Sequence, residues 1–427
     1  MKSAIDLSRP FARNLARNVY ERTSFALAWA TILGIHATFA NAETPTAKPD
    51  HAVVEEISGQ TVQGPLTEFG PDHLTIAANP PLRIARTDIL KLSFPARKTT
   101  TSPRAAIVIL ENGDRLAMES GAIDGESFVG QLEPAGQIVP VKIPLETIRA
   151  ILISNSGIPS ERRLHLRELQ QGRETSDVVR LINGDRVAGE LKSLDGGKLT
   201  VTTAGSDTSI DRGNVRSIRF NSELVSFPET SESRTLVTLT DRSRLTAVRL
   251  ELRPQHRLFL RAAFGGEFEI PFASVTALQV LGGRVHYLSD LKPAEYQFVP
   301  FLTRMWPLQI DRNVNGDPLS IDNIEYAKGL GVHSSSRVRY ALDGEFRQFR
   351  ALAGIDDSTE GQGSVKFAVE VDGRRVFTSD ECRGKDPAIR VGPIDLAGTK
   401  ELTLIVEFGQ RGDILDHANW ADALLVK

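Results

Sequence analysis

From residue 53 onward, apolar and polar residues alternate with the period of two that marks a half-buried β-strand. Val178-Val-Arg-Leu181 and Arg186-Val-Ala-Gly-Glu190 flank an Asn-Gly pair, and Leu199-Thr-Val-Thr202 follows the turn Asp195-Gly-Gly197. The pattern recurs four times. It opens at Ile57-Ser-Gly-Gln-Thr-Val62, Leu110-Glu-Asn-Gly-Asp-Arg-Leu116, Leu181-Ile-Asn-Gly-Asp-Arg-Val187 and Leu239-Thr-Asp-Arg-Ser-Arg-Leu245. It closes with one spacing of apolar residues, at Ile84/Ile89/Leu92/Phe94, Ile143/Ile148/Ile151/Ile153, Ile210/Val215/Ile218/Phe220 and Ile270/Val275/Leu278/Val280. Internal repetition of this kind predicts a row of small β units that bury surface against one another. Asn112-Gly113 and Asn183-Gly184 predict type I′ hairpins. Arg242 stands where the fourth unit lacks the glycine.

The predicted repeats occupy residues 53–95, 106–154, 178–222 and 233–281, with a linker at 155–177 whose Glu161–Arg173 segment reads as a short charged helix. Each unit is a bent meander that resembles the small SH3-like or Sm-like β-barrels. The Sm analogy suggests RNA, but residues 53–281 contain no Tyr or Trp to stack on bases, and the chain carries a formal net charge of −3. The expectation is therefore no nucleic acid, and a structural or protein-contact role for the repeats.

Beyond residue 285 the composition shifts. Tyr287, Tyr296, Tyr326, Tyr340, Trp306 and Trp420 all lie there, among strand-like runs such as Val365–Val371 and Leu402–Phe408. Some 140 residues of alternating strands point to an all-β sandwich of jelly-roll kind at 285–427. Its motifs are Tyr326-Ala-Lys-Gly-Leu-Gly-Val-His-Ser334, Tyr340-Ala-Leu342, Phe346, Phe349, Gly354-Ile-Asp356, Gly363-Ser-Val-Lys-Phe-Ala-Val369, Asp372-Gly373, Gly412-Asp413 and Asp416-His-Ala-Asn-Trp420. In this order and spacing they resemble the NPCBM domain, which is related to family 51 carbohydrate-binding modules and accompanies glycoside hydrolases of families 27, 95 and 98. The resemblance implies a galactose-binding-like sandwich that takes a galactose-containing or other extracellular glycan in loops at one end.

Sugar binding needs an apolar platform and a few fixed polar groups. Trp420 with Asp416, His417 and Asn419 offers both types within five residues, and His333 follows a glycine-rich bend. Each has a plainer reading: Trp420 as core packing, Asp416 and His417 as turn caps, His333 as a partner of a neighbouring strand's backbone. Asp356 and Asp357 stand at a strand end. The resemblance suggests a structural calcium there, although a solvated turn is the better reading, and no other cofactor is called for. Asp311-Arg-Asn-Val-Asn-Gly316 matches a calcium-loop pattern in part, but Pro318 and the strand-like sequence after it make an Asn-Gly turn the better reading.

The N-terminus reads as an export signal. Lys2, Arg9, Arg13, Arg17 and Arg22 precede the apolar stretch Phe25–Ile35 and the small-residue site Ala40-Asn-Ala42, giving a leader of residues 1–42. Its apolar part is short for a membrane span. The expectation is a periplasmic, cell-surface or extracellular bacterial protein with no stable span after cleavage. Composition then removes classes. A single cysteine, Cys382, excludes an intramolecular disulfide and any cysteine-cluster metal site. No G-x-S-x-G, phosphate loop or H-E-x-x-H is present, and repeats plus sandwich leave no stretch for a separate catalytic domain. The chain reads as a noncatalytic glycan-binding protein. The competing reading is an envelope component that contacts another protein through its repeats without binding sugar.

Overall fold

A short helical turn explains the spacing that closes each repeat. In a computed structural model that describes residues 51–70, 72–99, 105–154, 158–229, 233–410 and 412–427, the 3₁₀ turns Arg86–Asp88, Leu145–Thr147, Arg212–Asn214 and Phe272–Ser274 each sit between the last two strands of a unit. A three-residue turn resets the alternation, so the apolar residues on both sides of it face the same core. Ile84, Ile89, Leu92 and Phe94 are all buried, as are Ile210, Val215, Ile218 and Phe220. The leader expected at 1–42 lies outside the described residues.

The first repeat runs through His51–Glu56, Thr61–Phe69, His73–Ile76, Leu82–Ala85 and Ile89–Ser93. Its first strand pairs antiparallel with both its second and its last. The same return pairing joins Asp177–Leu181 to Val215–Arg219 in the third unit and Ser233–Leu239 to Val275–Gly282 in the fourth. The second unit has six strands, of which Ser120–Asp124, Ser127–Leu132 and Val139–Pro144 form their own sheet. Closing strands also pair between units, Leu278 opposite Leu92 and Ile151 opposite Ile218. One hydrophobic core runs through all four, from Val54 and Phe94 to Leu199 and Phe264. Units of about 45 residues bury too little surface singly, so a shared core is the stable arrangement.

The hairpins are not type I′. At Leu110–Asp114 and Leu181–Asp185 only the glycines, Gly113 and Gly184, have positive φ (89° and 96°), while the asparagines before them do not. Gly113 N–H donates to the Leu110 carbonyl (3.0 Å) and Leu110 N–H to the Asp114 carbonyl (2.9 Å). This is a type I turn followed by a left-handed residue at a bulge. The Asn112 side chain, which accepts the Asp114 N–H (3.1 Å), favours it. Arg242 fills the glycine's place in the fourth unit at φ 68°. A left-handed non-glycine residue costs on the order of 1 kcal/mol, so Arg242→Gly should stabilise the protein by about 0.5–1 kcal/mol. A urea titration measures this.

The expected linker contains the helix Pro159–Gln171, and it is packed rather than free. Leu166 and Leu169 cover Ile107, Ile109, Ala150 and Leu152 of the second repeat. On its other side Arg167 meets Asp317 (3.6 Å) and Gln170 takes the Arg312 guanidinium.

The C-terminal region is a two-layer β-sandwich. One sheet is ordered Gln309–Ile310, Gly329–His333, His417–Val426, Gln348–Ile355, Ile389–Asp395. The other is ordered Glu295–Phe298, Ser336–Ala341, Glu401–Phe408, Ser364–Val371, Arg374–Thr378. Trp420, Phe349, Phe367, Tyr340 and Leu404 fill the space between them. The short strand Val285–Tyr287 pairs with both Val275–Gly282 and His417–Val426, so the sheet of the fourth repeat continues into the sandwich. Among the described residues no helix is long and apolar enough to cross a membrane.

Candidate functional site

Two neighbouring strands deliver the two histidines. His333 ends Gly329–His333, His417 begins His417–Val426, and the register sets them directly opposite each other, with ring centroids 5.9 Å apart. The bend before His333 requires glycine, because a Cβ on Gly329 or Gly331 would stand 2.5 Å from the Trp420 carbonyl oxygen or 2.3 Å from that of Arg312. Trp306 lies parallel to the His333 ring at 5.0 Å and edge-on to His417 at 5.5 Å. Phe298 closes the other side of His333 edge-on at 6.1 Å. The Arg304 guanidinium carbon lies 3.6 Å from the Trp306 ring centre. The Tyr296 hydroxyl donates to the Trp306 carbonyl (2.8 Å) and ties this loop to its own strand.

Around these rings is a cavity of about 540 Å³, bounded by the 298–306 loop on one side and Asp413, Ile414 and Leu415 on the other, with Asn315, Ser334 and Phe408 completing it. The wall is aromatic; Arg304, Asn315, His333, Ser334, His417 and Asp413 are its polar groups. The rim is unusually apolar, with Phe301, Leu302 and Ile414 each more than 60% exposed.

Both imidazoles are held neutral. Burial, with the nearby His417 adding to it, pushes the His333 pKa down to about 4, and burial lowers that of His417. The Asn315 amide nitrogen lies 3.3 Å from His417 Nδ1; with the amide donating, His417 carries its proton on Nε2. Neutral rings can donate to and accept from hydroxyl groups without desolvating a charge. Burial also lifts the Asp416 carboxyl to about 6, against the lowering effect of the Ser364 amide. The two shifts oppose each other in stability. Between about pH 6.5 and pH 4 the unfolded chain binds a proton that folded His333 refuses, so acid costs stability. Over about pH 6 to 4 folded Asp416 binds a proton that the unfolded chain does not, so acid restores some. A thermal melt against pH therefore mixes the two, whereas an NMR titration of the imidazoles separates them. His333 should titrate near pH 4, with a midpoint close to 6.5 as the contrary result.

Of the five expected sugar-site residues, the structure brings only His333 and His417 to this cavity. Trp420 is 0% exposed and packs edge-on against Phe367 at 5.0 Å. It belongs to the core because alternate residues of a strand face opposite sides, and His417 faces the cavity. Asn419, also fully buried, donates to the Ser320 carbonyl and to Asp356 Oδ2. Asp416 lies beneath the cavity, where it accepts the Ser364 N–H (2.8 Å) and fastens the 412–416 loop to the opposite sheet. Trp306, Arg304, Phe298 and Asn315 were missed. For Arg304 and Trp306 the signal was the run Phe301-Leu-Thr-Arg-Met-Trp306 between Pro300 and Pro307, a segment barred by its prolines from a sheet interior. Phe298, at a strand end, and Asn315, in the Asp311–Gly316 turn, carried no such signal.

The calcium expected at Asp356 and Asp357 does not fit. Asp356 Oδ1 accepts from Asn313 Nδ2 (2.8 Å) and Ser358 N (3.0 Å), and Oδ2 from Ser320 N (3.0 Å) and Asn419 Nδ2 (2.6 Å). Both oxygens face N–H donors, which a cation would have to displace. Asp357 accepts the Asn323 N–H (3.0 Å), and among the described residues no group of three metal-ligating side chains occurs. The Asp311–Gly316 segment is a turn: Asn313 Oδ1 accepts the N–H groups of Asn315 and Asp317, and Asp311 pairs with Lys328 (2.6 Å).

Residues 284–426 match the NPCBM/NEW2 domain family, so this sandwich is an NPCBM domain, a carbohydrate-binding type. A protein of Renibacterium salmoninarum with the provisional name endo-alpha-N-acetylgalactosaminidase is 32% identical over 109 residues, 26% of this chain and 7% of its own length. Alpha-1,3-galactosidase B of Akkermansia muciniphila is 30% identical over 118 residues, 27% of this chain and 15% of its own. The chain thus spans a small part of both relatives. Among solved structures, the family 51 carbohydrate-binding module of a Clostridium perfringens family 95 glycoside hydrolase, in complex with methyl-galactose, is 27% identical. It covers 33% of this chain and 99% of its own, with a TM-score of 0.31.

Proposed function

We propose that the cavity between the 298–306 and 412–417 loops binds one sugar of an extracellular glycan, without catalysis. The observation that carries this is the convergence of an aromatic wall, Trp306 with Phe298 and Phe408, on two neutral imidazoles and Arg304, at one end of an NPCBM sandwich. Apolar walls suit the C–H face of a pyranose, and a few fixed donors and acceptors select its hydroxyls. The proposed sugar is galactose or N-acetylgalactosamine, in keeping with the names of the two relatives, in which the matching segment is a small part of a larger protein. One shallow site of this kind binds on the order of millimolar to micromolar.

The leader at 1–42 would export the chain, and the four repeats, read as small SH3-like barrels, would carry the sandwich as a rigid base in the cell envelope. The full-length chain on a glycan array provides the test. Retention of glycans ending in galactose or N-acetylgalactosamine is the expected result. A blank array from folded protein would overturn the sugar reading and leave the repeats as its working part.

A further inference from the structure

Two of the four repeat hairpins clasp each other through a reciprocal contact. In the second repeat Asp114 accepts the Thr246 N–H on Oδ2 (2.7 Å) and the Thr246 hydroxyl on Oδ1 (2.9 Å). In return, the fourth repeat's Ser243 hydroxyl oxygen accepts the Ala117 N–H (2.9 Å). Counting from Leu110 and Leu239, which open the two hairpins, Ser243 stands at the position of Asp114, and Thr246 at that of Ala117. Each hairpin thus offers an acceptor at its turn and a backbone donor three residues on, and the two meet about a local two-fold axis, with Arg115 opposite Arg244. The contact buries Asp114, Ser243 and Thr246 to 6% exposure or less.

The third repeat has the same hairpin. Leu181-Ile-Asn-Gly-Asp-Arg-Val187 matches Leu110-Glu-Asn-Gly-Asp-Arg-Leu116, with Asp185 at the acceptor position and Ala188 at the donor position. Ala188 sits opposite Val178 as Ala117 sits opposite Ile107. These pairs lie one step beyond a hydrogen-bonded pair, so their N–H groups point away from the partner strand. Yet Asp185, Arg186 and Ala188 are all exposed, as is Ile182. Beside them lies a hollow of about 440 Å³ that includes Ser209. At the matching place in the second repeat, Lys142, the fourth repeat's Gly266 closes over the chain. The first repeat's hairpin is covered too: Ile57 is buried and Arg350 of the sandwich donates to the Glu56 carbonyl (3.1 Å).

We propose that the third hairpin makes the same clasp with the third hairpin of a second copy of this chain. About a two-fold axis, Asp185 of each copy accepts the Ala188 N–H of the other, an isologous interface that one exposed motif satisfies by itself. The meeting of two Arg186 side chains is no obstacle. Arg244, in the internal clasp, is neutralised by Glu325 (3.0 Å), and Arg186 already pairs with Glu174 (2.5 Å).

Sedimentation of the full chain over a range of concentrations tests this, with hydrogen exchange at Ala188 as second readout. The expected result is a reversible dimer, slower Ala188 exchange as concentration rises, and a monomer at every concentration for Asp185→Arg, whose circular dichroism matches the parent. A parent that stays monomeric, or a dimer that persists in Asp185→Arg, would overturn the proposal. Neither result bears on sugar binding, since the hairpin contributes no residue to the cavity in the sandwich.

Discussion

Asp356→Ala is expected to destabilise the sandwich by at least about 4 kcal/mol, since each buried group left unpaired costs about 1–3 kcal/mol. The carboxylate is 0% exposed and receives four N–H donors, from Asn313, Ser358, Ser320 and Asn419. Those four come from three separate places in the chain, so this one side chain joins the 313–320 segment, the 356–359 turn and the strand His417–Val426. Total stabilities of single domains run to about 5–15 kcal/mol, so the loss removes much of the margin. Asp356→Asn should also destabilise, because its NH₂ would face donors. Guanidinium denaturation of the full chain provides the measurement; a change under about 1 kcal/mol would mean that water replaces the carboxylate at little cost.

Trp306→Ala is expected to weaken sugar binding at least tenfold, about 1.4 kcal/mol, with little change in unfolding temperature. The ring is half-buried at the cavity wall and packs on His333 and beneath Arg304. Trp420→Ala should behave in the opposite way. It empties a fully buried site against Phe367, a loss of about 3–5 kcal/mol by analogy with other large-to-small core changes. Calorimetry with sugar and a thermal melt on both variants distinguish wall from core. Binding that survives in Trp306→Ala but fails in a folded Trp420 variant would reverse the assignment.

Much of the architecture was legible because β structure writes its period directly into the chain. The closing spacing, Ile then four residues then Ile or Val, falls on two strands that flank a 3₁₀ turn in all four occurrences, and the six Tyr and Trp beyond residue 285 all lie in the region of the sandwich. What could not be read was the third dimension of the site. Sequence proximity suggested Asp416, His417, Asn419 and Trp420 as one cluster, but strand alternation sends Trp420 into the core, and Asn419 holds Asp356. The cavity is instead assembled from loops more than 100 residues apart, and Trp306 reaches His333 only because strand pairing places the 298–306 loop beside the end of Gly329–His333. The hairpins carry the same lesson. Asn-Gly announced a turn correctly, but the turn type is favoured by the bond that the Asp114 N–H donates to Asn112 Oδ1. The choice between calcium and a turn at Asp356 was closed to the sequence for a related reason: a buried aspartate looks the same there whether cations or N–H groups surround it.

The central claim is that the cavity beside His333 is the sugar site. The most direct test follows the indole N–H resonances of Trp306 and Trp420 in the full chain during titration with galactose, then with N-acetylgalactosamine. A saturable shift of the Trp306 signal with Trp420 unmoved is the predicted result. Binding detected on the array without any response at Trp306 would place the sugar elsewhere on the molecule.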